Sequence, residues 1–114
     1  MSYRKPSTWH WSKMSTPLLE FEKAIKALER ALEVEKTDIV RDAVIQRFEF
    51  CIELAWKVSK RIMGTVTSAP KQVVREMGQN GLIADVGFWL RAIDQGNLTA
   101  HTYNEDLAEE VYNF

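Results

Sequence analysis

Apolar residues recur along this chain every three or four positions rather than every second one, the signature of helices with one buried face. In the first such stretch Leu18, Phe21, Ile25, Leu28 and Leu32 step by three and four. They follow Pro17, which suits the first position of a helix opened after Thr16. Glu22 and Lys26 lie one turn apart on the opposite side and add i, i+4 support. A second helix is predicted from Asp38 to Met63, capped by Thr37 or Asp38 and stopped by Gly64. Projected at about 100° per residue, Val40, Val44, Ile45, Phe48, Cys51, Ile52, Ala55, Val58 and Ile62 fill a broad face, and Ile39, Ala43, Phe50 and Leu54 widen it. Only a narrow strip stays polar, with Asp42, Gln46, Glu49, Glu53, Trp56 and Lys60 within about 40° of one line. A helix so nearly apolar all round has neighbours on most sides, as the central helix of a bundle or at a seam between two copies. Arg47 falls inside the apolar arc and therefore requires a carboxylate or carbonyl partner.

After a linker at residues 64–68, Ser68 and Pro70 open a short helix through about Met77, ended by Gly78-Gln79-Asn80-Gly81. Val86, Trp89, Leu90 and Ile93 carry the spacing of a fourth helix that ends near Gly96. Asn104 is placed to cap a last helix on which Leu107, Val111 and Phe114 share a face, with Glu105 and Asp106 at its positive start. At about ten residues that helix is marginal alone, so it must pack on the rest of the chain or on another one. No segment alternates as a strand does, and no internal repeat is present. The pattern predicts an all-α fold, an antiparallel up-and-down four-helix bundle with one additional short helix. Residues 16–114 form its single domain. Residues 1–15 are polar, but Trp9 and Trp11 flank His10, and they read as a flexible or docking N-terminal arm.

Composition narrows this picture without redirecting it. A chain of 114 residues, 46% hydrophobic and 27% charged, is an ordinary folded domain with enough core to need no disulfide or metal support. A net charge of -1 argues against general nucleic-acid binding by counterion release. Cys51 is the single cysteine and sits among Phe50, Ile52 and Leu54, which predicts a buried thiol in a reducing, cytoplasmic setting. The N-terminal residues contain no apolar core of a targeting signal, and no stretch approaches the roughly 18 apolar residues of a membrane span.

Several chemistries lack their residues. His10 and His101 are far apart, neither is near Cys51, and no helix carries ligands at zinc spacing, so no metal site is expected. There is no nucleophile elbow, and the five glycines form no phosphate-cradling loop, so no cofactor is expected on this chain alone. Two groupings remain. Glu49 and Glu53 stand one turn apart beside Trp56, an aromatic face next to carboxylates that suits a base, a sugar or a protein partner; beside Lys57 and Lys60 they also fit a solvated helix edge. Residues 94–104 crowd Asn97, Thr99, His101, Tyr103 and Asn104 together. Those groups suit a phosphate or base, or equally a polar turn with an N-cap.

Asp42-Ala-Val-Ile-Gln-Arg-Phe-Glu-Phe-Cys-Ile-Glu-Leu-Ala-Trp-Lys57 and Asn97-Leu-Thr-Ala-His-Thr-Tyr-Asn104 resemble the nucleotidyltransferase substrate-binding protein family, a branch of the HEPN-like helical bundles. The likeness runs from about Leu18 to Phe114. It implies a non-catalytic, homodimeric bundle that works beside a separate small nucleotidyltransferase, as in two-component toxin-antitoxin-like systems. The nucleoside triphosphate and Mg are then expected on that partner subunit. By the same resemblance Gln46, Glu49, Glu53 and Trp56 line one side of an acceptor-substrate or partner site, and Asn97, Thr99, His101 and Tyr103 the other.

Related HEPN proteins imply an alternative, a metal-independent ribonuclease toxin acting on RNA. In the motif that this chain resembles, an arginine precedes four residues, a histidine, one residue and a tyrosine. His101 would then take the 2′-hydroxyl proton, and Tyr103 would be the site of regulatory adenylylation. The register puts Gly96 where the arginine belongs. Losing a group that offsets phosphorane charge commonly costs on the order of 10²–10³ in rate. Arg91 replaces it only if the helix end directs its side chain into the loop.

Overall fold

The computed structural model describes residues 6–114, with side chains from Thr16 onward. Five helices follow in order: α1 (Pro6–Leu32), α2 (Asp38–Met63), α3 (Pro70–Gln79), α4 (Val86–Leu98) and α5 (Glu105–Asn113). A single 3₁₀ turn, Thr99–His101, joins the last two, and no strand occurs among the described residues. The fold is all-helical, as the periodicity predicts.

Where helices stop follows from local chemistry. Thr37 accepts the Val40 amide at 3.1 Å to start α2, and Gly64 ends it at φ 67°, a conformation that costs glycine nothing. Asp85 caps α4 through Phe88 N–H, and Asn104 caps α5 by accepting the Asp106 and Leu107 amides, as its position predicts. Two expected boundaries are corrected. The first helix begins at Pro6 and takes Pro17 into its interior. That proline removes one backbone donor and crowds the preceding turn, at a cost of about 3 kcal/mol, but its fixed φ is itself helical and the ladder resumes beyond it. The fourth helix continues past Gly96 to Leu98. Whether the arm bearing Trp9 and Trp11 is flexible or docks falls on side chains outside the described residues.

The second helix is the spine, touching α1, α3, α4 and α5. Toward its C-terminal half Val73, Val74, Met77 and Ile93 form a buried cluster that Ile52, Trp56, Met63 and Trp89 pack against. Trp56 thus leaves the polar strip where the helical projection put it and joins a core. Toward the N-terminal half Ile45 meets Ala108 and Val111 of α5, with Phe48 and Leu98 beside them. Phe114 stacks on Phe88 at 5.3 Å and meets Phe48 edge-on at 6.1 Å.

On its other side α2 has only α1. Among the described residues α1 touches no further helix, whereas every member of a closed four-helix ring would have two neighbours. Ala31 of α1 and Cys51 and Ala55 of α2 are buried. Arg47, the cation inside the apolar arc, donates to the Ala27 carbonyl of α1 at 2.8 Å, which supplies the partner its position demands. Leu18, Ile25 and Leu32, spaced by sevens, remain 39%, 39% and 52% exposed. The radius of gyration is 16.5 Å, against about 13 Å for a compact domain of this length.

Candidate functional site

The fourth helix crosses α2 at Gly96. A Cβ built there would lie 3.5 Å from Ile52 Cγ2, an ordinary contact, so the absent side chain leaves a gap rather than relieving a clash. That gap is a cleft of about 80 Å³ lined by Glu49, Ile52, Glu53 and Trp56 of α2, Pro70 of α3, and Ile93, Gly96 and Asn97 of α4. Its lining mixes apolar and polar side chains. Two carboxylates from one helix and an amide from another converge on it, a set that accepts hydrogen bonds from an amine or hydroxyl and can also donate one through Asn97. Glu53 holds Lys57 at 2.9 Å on the rim, so part of its charge is already offset.

Four of the eight residues expected at a site are brought together here, Glu49, Glu53, Trp56 and Asn97. Gln46, Thr99, His101 and Tyr103 do not line this cleft. Gln46 is exposed one turn earlier on α2. The polar groups of the connecting segment are largely spent on its own backbone. Thr99 Oγ1 donates to Gly96 O at 2.7 Å, Thr102 Oγ1 donates to Thr99 O at 3.0 Å, and Asn104 N–H donates to His101 O at 3.1 Å. What this leaves presented to solvent is an aromatic pair: His101 is exposed, Tyr103 is 85% exposed, and their rings meet edge-on at 6.1 Å.

Arg91 does not fill the arginine position of the loop. Its guanidinium lies beside Gly87, one turn toward the start of α4, with Nη1 3.5 Å from where a Cβ of that glycine would be. Cys51 is buried as expected, and desolvation pushes its thiol above the ordinary value, which makes it a poor nucleophile.

Sequence reasoning missed Arg41. It is 3% exposed and is held by Glu105 at 2.7 Å, Asp42 at 3.1 Å and Glu109 at 3.2 Å. The signal was the one that flagged Arg47, a cation inside the apolar arc of α2, flanked here by Val44, Ile45 and Phe48. Its complement was also visible, as Glu105 and Glu109 lie one turn apart on the last helix. The hydrogen bonds that Arg41 donates to Glu105 and Glu109 raise its pKa further above its ordinary value. Glu105 is held below the ordinary carboxylate range by its bond to Arg41, and Glu109 by its bonds to Lys36 and then Arg41. Lys36 also sits 4.6 Å over the ring of Tyr112. This network fastens α5, and with it the segment bearing His101 and Tyr103, to the first turns of α2.

Three likenesses accord with this architecture. A crystal structure of a protein from Thermus thermophilus superposes with a TM-score of 0.72 at 35% identity, covering 81% of this chain and 83% of that one. A probable ribonuclease HepT from Haemophilus influenzae is 35% identical over an alignment of 86 residues that covers 65% of this chain. The match spans 59% of that relative's length. Residues 17–114, nearly the whole described domain, match the family described as nucleotidyltransferase substrate binding protein like, and the chain belongs to that family.

Proposed function

We propose that this chain is a non-catalytic subunit that pairs with a separate small nucleotidyltransferase and helps form its acceptor-substrate site. The cleft at Gly96 carries the reading, because it joins Glu49 and Glu53 to Trp56 and Asn97 across two helices. Carboxylates at a rim orient an acceptor hydroxyl or amine and draw off its proton as it attacks a phosphoryl group. The exposed His101 and Tyr103 extend the same end of α4 as a contact surface for the partner, which holds the triphosphate and Mg. The chain homodimerises, a second copy covering Leu18, Ile25 and Leu32 and giving α1 the neighbour that an antiparallel up-and-down four-helix bundle requires.

The test mixes the chain with its nucleotidyltransferase, Mg and a labelled triphosphate. Label transfer to acceptor is expected to fall by roughly tenfold or more in the Glu49→Gln, Glu53→Gln variant while the complex still forms. Unchanged transfer would remove the cleft from the reaction. Sedimentation giving only a 13.2 kDa monomer at micromolar concentration would remove the dimer.

The name of the Haemophilus relative favours a second reading, a ribonuclease in which His101 is the base and Tyr103 the adenylylation site. Against it stand the glycine at position 96 and the direction of Arg91, which leave the developing phosphorane charge without an arginine in the loop. RNA cleavage by the purified chain that disappears in a His101→Ala variant would establish this alternative over the first.

A further inference from the structure

Trp56 also lines a second cavity, of about 460 Å³, together with Lys57, Lys60, Arg61, Gly64, Thr65 and Ser68. Its size falls within the range of about 300–1,000 Å³ typical of small-molecule sites. Among those lining residues are three cations and two hydroxyls, and none is acidic. In a chain of net charge -1 this is a local reversal of sign.

Lys57, Lys60 and Arg61 stand at i, i+3 and i+4, so the helix puts them on one face. Cations in the last turn complement the negative end of the helix, which accounts for Lys60 and Arg61. It does not account for Lys57 a turn earlier, nor for the enclosure. The left-handed turn at Gly64 folds the following residues back toward the helix, and Lys60 Nζ donates to Ser68 Oγ at 2.9 Å. Lys57 Nζ lies 5.8 Å from the Trp56 ring centroid and also pairs with Glu53 at 2.9 Å, so it bridges the acidic cleft and this cavity.

We propose that this cavity binds a nucleoside phosphate, its phosphate between Lys57, Lys60 and Arg61 with Ser68 donating a hydrogen bond, and its base against the indole of Trp56. An ammonium pair and a guanidinium supply donors to several phosphate oxygens. The indole supplies a flat apolar wall of the kind that bases stack on. The same chemistry is offered by a free mononucleotide and by the end of an RNA strand.

In the test, calorimetry follows adenosine 5′-monophosphate titrated into the full chain at low ionic strength, beside inorganic phosphate, adenosine and a short single-stranded oligoribonucleotide. The mononucleotide is expected to bind more tightly than either phosphate or adenosine. The Lys60→Gln, Arg61→Gln variant, altered outside the buried clusters, is expected to weaken it on the order of tenfold or more while circular dichroism shows the helical fold retained at the temperature of the titration. If the oligoribonucleotide alone binds, and the double variant weakens it likewise, the source is an RNA end. Binding that survives the double variant, phosphate binding as tight as the nucleotide, or no heat with any probe overturns the proposal.

Discussion

The two sides of α2 are built differently. Toward α3, α4 and α5 it presents Ile45, Ile52 and Trp56 to two buried clusters, and ion pairs close the seams, Lys71 with Asp94 at 2.6 Å between α3 and α4 and Arg41 with Glu105 between α2 and α5. Toward α1 it makes an arginine-to-carbonyl bond, and α1 leaves Leu18, Ile25 and Leu32 uncovered. One side is complete within the chain. The other carries an apolar stripe that three or four heptad-spaced side chains of a second helix would cover. The two buried clusters of the domain therefore lie between α2 and the helices that follow it, and the uncovered apolar stripe lies on α1.

The same deletion on each side tests that division most sharply. Ile93→Ala empties a fully packed position and is expected to cost about 2–5 kcal/mol in urea unfolding. Ile25→Ala removes the same atoms from a side chain 39% exposed and is expected to cost under about 1 kcal/mol in the monomer, while weakening self-association. Equal losses would show that α1 is as much a part of the core as α4. A smaller effect is expected at the cap of α5, where Asn104→Ala leaves two amide donors unsatisfied and should cost about 1 kcal/mol, read as faster amide exchange confined to residues 105–113.

Acid should loosen the α5 side selectively. Glu105 and Glu109 have folded-state pKa values below the ordinary 4.5, so their contribution is present above that value and is lost as pH falls through the lowered values. Circular dichroism and amide exchange below pH 4.5 are expected to show α5 releasing before α1 and α2 separate, and an Arg41→Met variant is expected to lack that step. The smallest effect belongs to Lys26→Ala. Its pair with Glu22 spans 3.7 Å with both side chains 63% exposed, and the change should stay within about 0.5 kcal/mol.

Much of the scaffold was legible because each signal was local. Period, caps and stops identified all five helices, and the misfit of Arg47 in an apolar arc was enough to require a partner that Ala27 supplies. The failures were tertiary. Pro17 reads as a helix start from its own residue chemistry, but the helix extends through it. Trp56 projects onto a polar strip, yet α3 and α4 arrive from that direction and partly bury it. The candidate site divided along the same line. Glu49, Glu53 and Trp56 follow from spacing on one helix, but only the crossing at Gly96 brings Asn97 to them, and backbone bonds within residues 96–104 consume the hydroxyls that sequence proximity offered to a ligand.

The Arg41 network also bears on the order in which the molecule assembles. The contact between α1 and α2 spans a short connection and closes early, whereas Arg41 and Glu105 are 64 positions apart. With nine residues, α5 gains lasting helicity only on reaching its dock. The segment that presents His101 and Tyr103 is therefore expected to be the last part of the domain to become fixed, with amide protection in residues 99–113 appearing after that of α1 and α2.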